Sequence, residues 1–279
     1  MLRDYQQDVY RKTVEAFKQG HRRPLVVLPC GGGKSYLFAE MAKNTHGDVL
    51  ILTHRRELLS QHNNLLANLG INARVSMVLT EANRLGQYQR PALIITDEAH
   101  LSRSHSWMKV LDYYNTYTVG FTATPVRLDG KPLGDMYDAL VEGVTVKWLI
   151  DHQRLAPFEY YAPTVVDTDS LRVQGGDYVI KDMEQLMSDR AIYSDVLTSW
   201  QRLAANEKTI AYCVSVKHAK ETAEMFRAAG YHAQAIDGNT QDQQREQIMQ
   251  QFRNGDIQIL CNVGIISEGI SIDDVTCCL

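Results

Sequence analysis

The sequence predicts an α/β fold in two units, each built around a mainly parallel sheet. Short apolar runs alternate with segments of helical spacing along both halves, the pattern that lays helices against parallel strands. Gly20, Gly70, Gly230 and Gly255 stand where four of those helical segments would stop. A length of 279 residues, with 44% hydrophobic and 22% charged side chains, is enough for two cores of ordinary composition.

In chain order, residues 5–19 read as an amphipathic helix, 25–28 as a strand and 36–42 as the helix that follows it. Val49 to Thr53 reads as a strand and Glu57 to Leu69 as a helix. Val75 to Leu79, Leu93 to Thr96 and Thr118 to Thr122 are further apolar strands. An apolar segment from Val144 to Ile150 closes this half, which gives an expected first domain of 1–150. Residues 151–190 read as a connecting segment partly folded onto its neighbours, with Pro157 and Pro163 flanking Phe158-Glu159-Tyr160-Tyr161. The expected second domain is 191–279. It carries strands at 210–214, 233–236 and 257–261, and helices at 216–229 and 241–253. Cys277-Cys278 reads as a buried strand end, and the tyrosine pairs Tyr113-Tyr114 and Tyr160-Tyr161 as half-buried side chains rather than stacking platforms.

The formal net charge of −4 is unevenly divided. Residues 1–150 carry 18 Lys and Arg against 14 Asp and Glu, and residues 151–279 carry 11 against 19. That balance gives no independent sign of a nucleic-acid partner, so any such inference has to come from motifs. Five cysteines, odd in number and without C-x-x-C spacing, favour reduced thiols over a disulfide framework. The polar start and the absence of a membrane-length apolar run lead to the expectation of a soluble, cytoplasmic protein with no membrane partner. His62, His100, His105 and His218 lack the spacing of zinc ligands.

The chemistry is concentrated in two places. Leu28-Pro29-Cys30-Gly31-Gly32-Gly33-Lys34-Ser35 follows a short apolar strand and opens a helix. Consecutive glycines let backbone N–H groups turn inward around phosphate oxygens. Lys34 would meet the β- and γ-phosphates of ATP, and the Ser35 hydroxyl would hold Mg²⁺. Sixty-three residues beyond Lys34, Asp97-Glu98-Ala99-His100 ends another buried strand. Asp97 would complete the magnesium shell, and Glu98 would orient or deprotonate the attacking water. The plain alternatives are a glycine-rich surface turn and a solvated acidic turn; strands ahead of both argue for the site.

With the second unit included, the order of motifs resembles the superfamily 2 helicases of the DEAD/DEAH-like group, and within them the double-stranded-DNA translocase branch of phage and transcription-repair helicases. The resemblance spans nearly the whole chain and implies two RecA-like domains, the second incomplete at its C-terminus. Leu2 to Gln6 matches the branch's opening and implies adenine recognition by Gln6. Residues 28–35 match the phosphate loop, with Leu28 where the strict pattern has Gly. Thr53, His54 and Arg55 match a segment that grips the nucleic-acid backbone, and Thr80 lies where the next such segment falls. Asp97 to His100 matches the acidic motif. Thr122-Ala123-Thr124-Pro125 matches the motif that couples hydrolysis to movement, which makes Thr122 and Thr124 catalytic candidates. In the second unit, Ser215 and Asn262 take the place of nucleic-acid contacts, Glu268 and Gly269 that of nucleotide contacts. Asp237 to Thr240 with Arg245 resembles the intervening loop and helix. Ser271 replaces the aspartate usual in the relatives.

The resemblance thus implies ATP and Mg²⁺ held between two domains, with DNA favoured over RNA and gripped along its backbone. The family's last motif, with its arginine, would fall beyond Leu279, so weak hydrolysis by this stretch alone and a longer parent chain are expectations. The alternatives are a hydrolysis-impaired, nucleotide-dependent DNA-binding or regulatory module, and the motor subunit of a restriction or repair complex.

Overall fold

The computed structural model describes residues 2–125, 132–161, 171–174, 177–187, 190–266, 272 and 274–279. The chain forms two compact units, 1–159 and 160–279. Unit 1 runs α1 (Asp4–Lys18), β1 (Pro24–Val27), α2 (Lys34–Asn44), β2 (Val49–Thr53), α3 (Arg56–Asn68), β3 (Arg74–Met77), α4 (Val78–Asn83) and β4 (Leu93–Asp97). A 3₁₀ turn (Ala99–Leu101), α5 (His105–Tyr114), β5 (Tyr117–Thr122), β6 (Ala139–Glu142) and α6 (Val146–Asp151) follow.

These strands make one six-stranded sheet in the order β3-β2-β4-β5-β1-β6, with every pairing parallel. Successive residues of each strand face opposite cores, as the two-residue period of a strand requires. Val26, Ile51, Ile95 and Val119 pack with Val9, Leu37, Phe38 and Leu66 from α1, α2 and α3. Leu25, Leu50, Leu52 and Ile94 pack with Val78, Trp107, Val110 and Tyr114 from α4 and α5. Both faces are covered, which is why β2 and β4 read as unbroken apolar runs rather than alternating ones.

Two elements depart from expectation. The strand expected at Val75 to Leu79 ends at Met77, and Val78 and Leu79 already belong to α4. The segment expected at Val144 to Ile150 contains the helix α6, whose Thr145 side chain accepts from the Trp148 N–H as an N-cap. Ahead of it lies β6, an edge strand the sequence did not announce.

Tyr137 anchors the chain behind β4. Its hydroxyl lies 3.0 Å from Thr96 Oγ1 and 2.7 Å from Ser102 Oγ, and burial pushes its pKa up. The ring lies against Gly120, where an added Cβ would stand 2.4 Å from a ring carbon, so β5 needs glycine at that point.

Unit 2 contains a short antiparallel pair, β7 (Val173–Gln174) with β8 (Asp177–Tyr178), then α7 (Ile180–Met187) and α8 (Arg190–Ala204). Next come β9 (Thr209–Tyr212), α9 (Val216–Ala228), β10 (Ala233–Ile236), α10 (Asp242–Asn254), β11 (Ile259–Asn262) and β12 (Cys277–Cys278). Its sheet is again all parallel, in the order β10-β11-β9-β12. Trp200, Phe226 and Ile259 build the core on one face, and Ile248, Phe252 and Leu260 the core on the other. The Trp200 indole N–H donates to Thr209 Oγ1 at 2.9 Å, which ties α8 to β9. Cys277 is half-buried and Cys278 exposed, so the expected buried strand end is a strand with one side chain in solvent. Tyr113, Tyr160 and Tyr161 are exposed and Tyr114 is buried, so none of the four is half-buried as expected. All five cysteines are free thiols. Among the described residues, no helix is long and apolar enough to cross a membrane.

Glu81 on α4 is buried and bonded to the Arg74 guanidinium and to the Tyr114 hydroxyl at 2.7 Å. Burial pushes its carboxyl up, but these partners outweigh burial and hold it below the usual 4.5. A carboxyl depressed on folding contributes stability above its unfolded pKa and loses it as pH falls through the folded value. Glu81→Gln is therefore expected to be less stable than the parent at neutral pH. Its melting temperature should fall less steeply between about pH 5 and pH 3, as read by thermal denaturation across that range.

Candidate nucleotide and nucleic-acid sites

The register of the first sheet brings three loops to one edge. Val27 lies beside Thr122, and Asp97 lies beside Phe121, so β1, β5 and β4 end almost level. Loop 28–33 leaves β1, Asp97 and Glu98 end β4, and Thr122 to Thr124 end β5. Parallel sheets bind ligands at this edge. The backbone confirms the closeness of two of them: the Leu28 N–H donates to the Thr122 carbonyl at 3.0 Å.

Gly33 caps α2 in the left-handed region, at φ 80 and ψ 39. A Cβ there would stand 2.2 Å from Gln6 Nε2, so glycine is required both by the turn and by its neighbour. Gln6 is 4% exposed, not the surface residue of an amphipathic helix. Its Nε2 donates to the Gly32 carbonyl at 3.1 Å, and its Oε1 accepts from the Arg3 N–H at 2.8 Å. The Tyr5 hydroxyl donates to the same Gly32 carbonyl at 3.1 Å. Gln6 thus fastens α1 to the loop. Lys34 Nζ rests 3.5 Å from the Leu28 carbonyl, folded back over the loop, and Ser35 follows it in the first turn of α2. That first turn presents N–H groups without intrahelical acceptors, which favours an anion.

Asp97 is held at both oxygens. Oδ1 accepts from the Glu98 N–H at 3.1 Å, and Oδ2 lies 3.0 Å from Nε2 of the buried His62 on α3. Glu98 adopts φ 54 and ψ 57, a left-handed conformation that costs a non-glycine residue about 1–3 kcal/mol. Its carboxylate lies 3.5 Å from His100 Nδ1. The same nitrogen is 3.1 Å from Thr122 Oγ1, which donates to the Thr124 carbonyl at 2.8 Å and receives the Thr124 N–H at 3.1 Å. A continuous polar chain therefore joins the acidic turn to the end of β5. Neither the His62–Asp97 nor the His100–Thr122 contact was legible from spacing, because those partners are 35 and 22 residues away.

The residues fit ATP and magnesium by their chemistry. Ser35 and Asp97 offer hard oxygen donors, and among the described residues no group of three or more His, Cys, Asp or Glu is arranged to hold a metal alone. Magnesium is typically held in this way, by one or two side chains together with substrate phosphates.

The expected nucleic-acid contacts are less uniform. Thr53 is fully buried, and its hydroxyl has no hydrogen-bond partner among the described residues. His54 and Arg55 are half-buried at the start of α3, with Arg55 Nε donating to His54 Nε2 at 3.0 Å. Thr80 is half-buried on α4. In unit 2, Ser215 caps α9 by accepting from the His218 N–H at 3.2 Å. Asn262 is fully buried, donating to the Ala211 carbonyl at 3.2 Å and accepting from the Ile266 N–H at 3.1 Å, so it shapes the turn after β11. Asp237 closes a tight turn with Asn239 and Thr240, whose carbonyl also receives Arg245 at 3.4 Å. Glu268, Gly269 and Ser271 lie outside the described residues.

Comparison with known proteins fits this arrangement. Residues 1–84 and 78–127 match the family described as type III restriction enzyme, res subunit, and residues 191–279 match the helicase conserved C-terminal domain. The chain belongs to the superfamily 2 helicases. The chain is 37% identical over 259 residues to a 51.5 kDa protein of a Lactococcus phage, covering 90% of this chain and 57% of that one. It is 27% identical to the putative ATP-dependent helicase IRC3 of Saccharomyces cerevisiae, over 100% of this chain and 46% of that one. It is 22% identical to the DNA 3'-5' translocase XPB2 of Sulfurisphaera tokodaii, over 99% of this chain and 73% of that one. The chain spans about half the length of the first two relatives. Its fold is similar to that of S. cerevisiae Dbp5 L327V bound to RNA and ADP BeF3, with a TM-score of 0.57 and 17% identity over 99% of this chain and 78% of that one. Both units are RecA-like α/β folds.

Thr122→Val should leave the His100 nitrogen and the Thr124 N–H without their shared partner. The expected cost is about 1–3 kcal/mol, measured by urea denaturation, with Thr122→Ser staying near the parent.

Proposed function

We propose that this helicase is an ATP-driven motor that moves along a nucleic-acid backbone, with DNA as its track. The observation that carries the proposal is the delivery of the phosphate loop and the acidic turn to one edge of one parallel sheet, on strands β1 and β4 that flank β5. Phosphoryl transfer asks the protein mainly for positioning and charge stabilisation, and the described residues can provide both. The N–H groups of Gly31 and of 33–35, with the Lys34 ammonium, bind and orient the phosphates, while the Gly32 N–H closes the loop on the Pro29 carbonyl. Ser35 and Asp97 would hold magnesium, which when bound neutralises the charge developing on the phosphate oxygens. The Glu98 carboxylate, aimed by its left-handed backbone, takes the proton of the attacking water. Through His100, a change at Glu98 is felt at Thr122 and Thr124.

His54, Arg55, Thr80 and Ser215 are the proposed contacts to the sugar-phosphate backbone; Asn262 shapes the turn after β11, and Thr53 is buried at the end of β2. Gln6, Glu268 and Gly269 remain the proposed nucleotide contacts beyond the loop. The name of XPB2 supports DNA, and the match to a restriction-enzyme subunit supports a second reading, a motor working within a restriction or repair complex.

Glu98→Gln is expected to keep ATP affinity while hydrolysis falls about 10²–10⁴-fold. Lys34→Ala should lose affinity itself. ATPase stimulation measured with single-stranded DNA, duplex DNA and RNA should be largest with DNA, and should weaken steeply with salt. Equal stimulation by RNA would remove the DNA assignment, and unchanged nucleotide affinity in Lys34→Ala would remove the ATP site.

A further inference from the structure

Asp97 is oriented from outside its own motif. His62 is 3% exposed on α3, 35 residues earlier in the chain, and its Nε2 meets Asp97 Oδ2 at 3.0 Å. The imidazole is itself fixed by packing. Its ring centroid lies 5.2 Å from that of Phe38 on α2, and Phe38 meets Phe121 of β5 edge-on at 4.7 Å. One line of contacts therefore runs from the helix that opens at Lys34, through His62, to the carboxylate at the end of β4. With Oδ1 already receiving the Glu98 N–H, the carboxylate plane has no freedom to turn while both bonds stand.

We propose that His62 is a positioning residue for the magnesium-side carboxylate, donating its Nε2–H to Asp97 so that the remaining lone pairs face the phosphate loop. This rests on the reading of Asp97 as a magnesium ligand. It adds a residue from α3, the helix that begins directly after Thr53 to Arg55, to the machinery of the nucleotide site. A side chain that only filled space would be replaceable by another ring; one that orients a carboxylate is not.

The test measures affinity for a fluorescent, non-hydrolysable ATP analogue by the full chain, once in EDTA and once in excess Mg²⁺. In His62→Phe, affinity in EDTA should stay within about twofold of the parent, because the loop is untouched. The gain in affinity on adding Mg²⁺ should shrink by about 10–100-fold, the usual effect of losing a partner behind a metal ligand. His62→Gln can place an amide N–H where Nε2 stood, and should restore most of that gain. If His62→Phe keeps the full magnesium gain, or if His62→Gln is no better than His62→Phe, the positioning role is wrong. Asp97→Ala separates the two readings: should it also keep the full gain, Asp97 is no magnesium ligand and the underlying assignment fails instead. Circular dichroism and thermal melting of each variant confirm that the comparison is made on folded protein.

Discussion

Parallel hydrogen bonding among β4, β5 and β1 governs everything else in unit 1. The strands are nearly level in register, so whatever follows each one emerges at the same edge. Both faces of the sheet are covered by helices, and burying Ile94, Ile95, Val26 and Phe121 completely makes a slip of one residue prohibitively costly, since it would exchange the two cores. The loop after β1, the turn after β4 and the end of β5 are therefore held by hydrophobic packing far more than by contacts among themselves. The polar contacts then refine what packing has placed: Gln6 on the loop, His62 on Asp97, His100 between Glu98 and Thr122.

The motif segments were legible because they are local. A glycine run before Lys-Ser and a carboxylate pair after Leu93-Ile94-Ile95-Thr96 each declare strand, turn and chemistry within eight residues. Helix ends marked by Gly70, Gly230 and Gly255 were equally plain. What the sequence hid depended on distant partners. β3 reads as longer than it is because Val78 and Leu79 continue the apolar run, yet Val78 packs against α5 and so starts a helix. β6 is four residues long with alternating burial, too little pattern to announce an edge strand. His62 was weighed only as a zinc ligand, and His100 as that or as the end of the acidic motif, since nothing nearby in sequence says that His62 faces Asp97 or that His100 faces Thr122 across the fold.

Burial also separates contact from support among the proposed nucleic-acid residues. His54, Arg55, Thr80 and Ser215 retain some exposure, whereas Thr53 and Asn262 have none. Asn262 serves the turn after β11, supplying both an acceptor and a donor that a hydrophobic residue could not.

The chain of bonds from Glu98 through His100 to Thr122 and Thr124 has a bearing on how such proteins can be recombined. Its members come from two segments that are separated in sequence but share a buried imidazole. A hybrid that imports residues 97–100 with another side chain in place of His100 would leave the Thr122 hydroxyl only its local contacts with Thr124 and cut its link to the acidic turn. Segments 97–100 and 122–124 are in effect one module, and domain shuffling or laboratory grafting has to carry both together.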